Sequence, residues 1–150
     1  MITCIRTNSE DFDFQILVKE LDEELKIADG KDHGFYSQFN KTDKIKYVIV
    51  AYGDDAPVGC GAIKEFSSGT MEIKRMYVLP NKRGHGVASA ILKELENWSM
   101  ELNYKKCILE TGKKQPDAIR LYSKNGYDII PNYGQYQGVE NSVCFEKKLN

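Results

Sequence analysis

The residues Arg83-Gly84-His85-Gly86-Val87-Ala88 join an apolar strand-like run to the most regular amphipathic stretch of the chain. A helix that starts there presents unpaired backbone amides and about half a positive charge, which is a seat for a phosphate or pyrophosphate. Gly84 and Gly86 let the backbone approach such an anion, and Lys82 and Arg83 add cationic charge beside it. His85 fills the unconstrained place of the turn, its ring directed outward or toward phosphate. One user of a turn like this is a dinucleotide-binding crossover, which wants Gly-x-Gly-x-x-Gly or Ala and an acidic residue about 20 positions later. Glu110 lies near that place, but Ser89 stands at the third glycine, and Glu72, Lys74 and Arg75 interrupt a feeding strand that should be continuously apolar. Only 40 residues follow Glu110, too few for the further crossovers of a doubly wound sheet.

Other chemistries find less support. The chain has two histidines, His33 and His85, without ligand spacing, so no metal site is expected. Cys4, Cys60, Cys107 and Cys144 are 56, 47 and 37 residues apart, which fits neither a zinc pattern nor a dense disulfide framework. Each sits in an apolar run and reads as a small buried hydrophobe, a use of thiols that points to a reducing compartment. With 21 Lys plus Arg against 22 Asp plus Glu, no global field exists to hold a nucleic acid or an anionic membrane. The longest uncharged apolar run, Tyr47 to Tyr52, is far short of a membrane span, and the first residues lack a basic-then-apolar leader. A cytoplasmic location is the default expectation.

A chain of 150 residues, 41% hydrophobic, is long enough to bury its own core as one domain. Ile2 to Thr7 alternates as a strand; Ser9 then precedes a helical stripe at Phe14, Leu17, Val18, Leu21 and Leu25. Asp29 to Lys44 reads as a polar loop, with one turn of helix at Phe35, Tyr36 and Phe39. Strands Lys46–Tyr52 and Pro57–Phe66 make a hairpin across Gly53-Asp54-Asp55, and a third, Met71 to Leu79, stops at Pro80. Val87, Ile91, Leu95, Trp98 and Leu102 predict a long helix through Asn103. A strand Lys106–Glu110, a polar loop Thr111–Lys114, a helix Pro116–Lys124, a strand from Tyr127 and a last strand Ser142–Leu149 complete the order. Residues 71–110 form a strand–helix–strand crossover, and the hairpins supply an antiparallel part.

The turn resembles the acetyl-CoA turn of the GNAT superfamily of N-acetyltransferases, Arg/Gln-x-x-Gly-x-Gly/Ala, at every specified position. A second segment, Gln115-Pro-Asp-Ala118-Ile-Arg-Leu121-Tyr122-Ser-Lys-Asn-Gly126-Tyr127, resembles the family's Asn-x-x-Ala-x-x-Leu-Tyr-x-x-x-Gly-Phe, with Gln115 in place of Asn and Tyr127 in place of Phe. The resemblance runs from residue 46 to the end and is densest from Glu72 to Tyr127. It implies an α/β fold with a mixed, mostly antiparallel sheet of about seven strands and helices on both faces. It also implies that the backbone of Met76, Tyr77 and Val78 bonds the pantetheine arm of acetyl-CoA. Arg83, Gly84, His85, Gly86, Val87, Ala88 and Ser89 would hold the pyrophosphate, and Gln115 and Ala118 would line the cofactor.

Amide formation from a thioester needs a deprotonated amine, a polarised carbonyl and a proton for the leaving thiolate. By the same resemblance, Tyr122 is the proton donor beside the sulfur, a residue that would otherwise pack with Leu121 on the sheet. Two glutamates compete as base. Glu72 resembles the catalytic glutamate of histone acetyltransferases, and Glu110 that of N-terminal alanine acetyltransferases; either could instead bridge to Lys74, Arg75 or Lys106. The expected partners are acetyl-CoA and an amine of a small molecule or protein, with a non-catalytic acyl-CoA-binding or sensing module as the alternative. The rims Asp29–Lys44 and Pro131–Asn141, with Tyr133, Gln135 and Tyr136, would set acceptor choice. Proteins resembling this one often form homodimers, although no exposed apolar stripe in the sequence demands one.

Overall fold

The computed structural model describes residues 1–30 and 44–150. The turn expected at Phe35, Tyr36 and Phe39, and His33, lie outside the described residues. Seven strands, β1 (Ile2–Thr7), β2 (Tyr47–Gly53), β3 (Ala56–Ser67), β4 (Thr70–Val78), β5 (Lys106–Gly112), β6 (Asp128–Ile130) and β7 (Ser142–Lys148), form one sheet in the order β1-β2-β3-β4-β5-β7-β6. Only the β4–β5 pair is parallel; the other neighbours run antiparallel. Helix α1 (Phe12–Asp29) packs on one face. Helices α2 (Val87–Glu101) and α3 (Pro116–Lys124) cover the other. No described helix is long and apolar enough to cross a membrane.

The apolar patterns account for both layers. Phe14, Leu17, Val18 and Leu21 of α1 close over Val48, Val50, Cys60 and Ala62, while Ile91, Leu92 and Leu95 of α2 close over Ile49, Ile63, Met71 and Ile73 on the opposite face. Leu95 is fully buried, so its truncation to Ala costs about 2–5 kcal/mol. Gly61 makes this approach possible, since a Cβ there would stand 2.6 Å from Met76 Sδ and 2.9 Å from Ile91 Cγ2. Cys60, Cys107 and Cys144 are buried in strands, as their apolar surroundings predict.

Several boundaries differ from the sequence reading for local reasons. Asp11, not Ser9, caps α1: its Oδ1 accepts from the Phe14 amide at 3.0 Å. Helix α2 ends at Glu101 because Asn103 takes a positive φ of 69°. Thr111 and Gly112, assigned to a loop by their polarity, extend β5 and are buried. The last strand inserts between β5 and the short β6.

Candidate active site

The pairing of β4 with β5 sets the site. It covers only Thr70↔Lys106, Met71↔Cys107 and Glu72↔Ile108, after which the two parallel strands have no further register. Residues 73–78 of β4 and 109–112 of β5 therefore flank a gap in the sheet, and backbone groups along such an edge are available to a ligand. The cleft that opens there is lined by Met76, Gln115, Ala118 and Tyr122 together with both candidate bases, Glu72 and Glu110. It is also lined by Leu21 and Leu25 of α1, Lys74, Arg75 and Tyr136.

The turn after β4 is shaped by its backbone. A short 3-10 turn, Pro80–Lys82, leads from β4 to Gly84 and Gly86, whose φ values are 81° and 83°. A Cβ on either would meet none of the described atoms within 4 Å, so conformation rather than crowding calls for glycine here. Gly86 is the N-cap of α2, and no side chain among the described residues caps the first amides of the helix. Arg83 turns back into the protein. Its Nε donates to Val78 O at 2.8 Å, Nη2 binds both oxygens of Glu24 at 2.8 and 3.0 Å, and its guanidinium lies over Tyr77. The turn is thereby braced against α1 and β4. His85 is exposed, its Nδ1 3.4 Å from Lys82 O. Ser89 Oγ accepts from Asn125 Nδ2 at 3.2 Å, and the same amide group donates to Leu121 O at 2.8 Å, joining the start of α2 to the end of α3.

The cleft itself is lined by side chains. Tyr122 on α3 is 6% exposed, wedged between the Tyr127 and Phe145 rings at 5.9 and 5.8 Å. Burial, and secondarily the charge of Glu110, hold its hydroxyl protonated well above the ordinary tyrosine range. Glu72 is 8% exposed; its Oε2 accepts from Tyr133 Oη at 2.7 Å, and Lys74 Nζ lies 3.7 Å from its Oε1. Tyr133 is driven strongly upward by burial and then by Glu72. Glu110 Oε2 accepts from Ser142 Oγ at 2.8 Å. Of the ion-pair partners weighed for the glutamates, Lys74 alone meets Glu72 here, while Lys106 pairs with Glu146 and Arg75 with Asp22.

Thus the structure gathers Tyr122, Glu72, Glu110, Met76, Gln115 and Ala118 at one cleft. Tyr77 instead packs on the α1 face, and Val78 faces α2. The sequence reading missed Asp22 and Glu24, which fix the two arginines, and Ser142 and Asn125. Only Asn125 carried a local signal, as the Asn-Gly that ends a helix.

Residues 12–127 match the sequence profile of the Acetyltransferase (GNAT) family. The chain belongs to this family. As a member it is an acetyl-CoA-dependent acyltransferase. It is 34% identical over 102 residues to an IAA acetyltransferase of Azospirillum brasilense, covering 67% of each chain. A Klebsiella pneumoniae structure provisionally assigned as an acyl-CoA N-acyltransferase is 28% identical and superposes with a TM-score of 0.83 over 100% of this chain and 99% of that one. The PaiA N-acetyltransferase of Thermoplasma acidophilum, solved in complex with coenzyme A, shares the fold at 17% identity, with a TM-score of 0.72 and 99% of each chain covered. The nicotinamide-dependent reading of the turn gives way to this family.

Proposed function

We propose that the protein moves the acetyl group of acetyl-CoA directly to a primary amine. The single observation that carries this reading is a cleft that gathers a buried tyrosine and two carboxylates along β4, the strand that leads through two positive-φ glycines into an uncapped helix start. The backbone fits the donor: among the described residues no side chain caps the start of α2, and β4 residues Met76 to Val78 have no register with β5. Arg83 supports this by holding the turn's shape rather than by aiming charge at phosphate. Similarity to a fold solved with coenzyme A supports the same ligand here.

In the proposed step the amine nitrogen attacks the thioester carbonyl, a C–N bond forms and the C–S bond breaks. A carboxylate accepts the proton released by the amine, and Tyr122 donates its hydroxyl proton to the departing thiolate. A tyrosine carries its proton at physiological pH and so has one to give. Glu110 is our first choice of base, because its charge reaches Tyr122, so that proton uptake and delivery would stay adjacent. Glu72, tied to Tyr133 and near Lys74, is the second. Incubation with acetyl-CoA and a panel of amines, following free thiol, tests the reading. Acceptor-dependent release is expected, and release no faster than hydrolysis across a broad panel would overturn it.

A further inference from the structure

The acceptor side of the cleft contains a cation, Arg75, that is paired through one nitrogen and has two others without a partner among the described residues. Opposite Gly61 the ladder slips, pairing Cys60 with Tyr77 and then Ala62 with Lys74, so β4 carries an extra residue. Arg75 sits in this bulge at φ 59°, a left-handed conformation unusual for arginine, with its carbonyl 3.3 Å from Cys60 Sγ. Before the bulge Met71 and Ile73 face α2, so Glu72 and Lys74 face α1; Arg75 also reaches the α1 side, to Asp22. Two consecutive cations thus enter one cleft, where a regular strand would send them to opposite faces.

The Arg75 side chain is 1% exposed. Its Nη2 donates to Asp22 Oδ1 at 2.6 Å, while Nε and Nη1 are buried without a hydrogen-bond partner. A guanidinium cannot shed its charge, and buried donors left unpaired are costly, so a planar acceptor arriving from the cleft is the natural complement. The charges around it are mixed: Asp22, Glu72 and Glu110 are negative, Lys74 is positive, and the phenols of Tyr133 and Tyr136 adjoin. A simple anion would be opposed by the carboxylates, and a simple polycation by Arg75 and Lys74. A molecule with a carboxylate at one end and an amine at the other matches both.

We propose that Arg75, assisted by Lys74, anchors the carboxylate of the acceptor, and that the acceptor is an amine that also carries a carboxylate. This rests on the acetyl-transfer reading for the amine end and on the buried guanidinium for the other. The test compares L-amino acids and ω-amino acids with their amides and with diamines, by thiol release and by equilibrium titration of the coenzyme A-loaded protein. Carboxylates should be preferred at least tenfold in kcat/KM. Arg75→Gln should raise KM about tenfold for them with kcat little changed, and should leave the amides unaffected. Arg75→Lys, which keeps the charge, should retain part of the preference and serves if the glutamine variant does not fold. Equal use of amides, or a carboxylate preference that survives Arg75→Gln, overturns the anchor while leaving the transferase reading intact. Arg75-dependent amino-acid binding without turnover supports the anchor and removes the transferase reading. Failure of every carboxylate to bind or react overturns the anchor.

Discussion

The turn after β4 and the cleft between β4 and β5 are built from different materials. In the turn proposed to hold phosphate, Gly84 to Ser89 are contiguous, the φ values of two glycines do the shaping, and the groups on offer are main-chain amides. On the acceptor side, Glu72, Lys74 and Arg75 of β4, Glu110 of β5, Tyr122 of α3 and Tyr133 beyond β6 come together from distant positions, most of them little exposed. A ligand shared by a whole family can be held by backbone, which tolerates sequence change. An individual acceptor has to be recognised by side chains, whose charges stay specific only when partly desolvated.

That contrast predicts that substitutions on the acid–base side alter turnover while those in the turn alter donor affinity. The largest effect is expected for Tyr122→Phe: kcat should fall about 100-fold or more with acetyl-CoA affinity within about twofold, as judged by steady-state kinetics beside calorimetry. Full turnover in that variant would remove the proposed acid. Next, Glu110→Gln should lower kcat at neutral pH about tenfold or more, whereas Glu72→Gln should do less. The reverse order would exchange their roles.

On the other side, Gly86→Val places a β-branched residue at φ 83°. The strain amounts to about 1–2 kcal/mol and should weaken acetyl-CoA binding about tenfold in titrations, with kcat at saturation nearly kept. Arg83→Met loosens the brace to Val78 and Glu24 and should weaken binding only about threefold, since exposed ion pairs contribute about 0–1 kcal/mol. A collapse of kcat in either turn variant would contradict the division of labour.

The smallest effect near neutrality comes from pH. Burial pushes Cys60 up to about 12 and Cys107 and Cys144 up to about 11, and raises Tyr122 and Tyr133 further still. Groups whose folded values are raised favour the fold below their unfolded values, about 8.5 for a thiol, and lose that contribution as pH climbs through the folded values. Thermal denaturation should therefore show Tm unchanged by these groups up to about pH 8 and falling between about pH 9 and 12. A flat profile across that window would mean these groups are not desolvated.

Much of the frame was readable along the chain. The stripe of α2, the hairpins, the Pro80 stop and the β4–α2–β5 crossover follow from periodicity and turn residues, which are local properties. So does the turn itself, because glycines at fixed offsets before a helical stripe encode backbone angles directly. Ser9 misled as a cap because Asp11, two residues on, takes the bond. The placement of the last strand between β5 and β6 has no local signature, since pairing partners are chosen by the whole sheet.

The sequence by itself determined that a helix would start behind two glycines after β4, and it singled out Tyr122, Glu72 and Glu110 as candidates for proton transfer. It could not say that β4 and β5 part company after Glu72, which alone makes room for a ligand between them. Nor could it say that one extra residue in β4 would bury Arg75 with Nε and Nη1 unpaired, when its charge reads as a surface residue. Local angles and periods are written in neighbouring residues, whereas strand splay, bulge and desolvation depend on what packs across the sheet, and only the folded chain decides them.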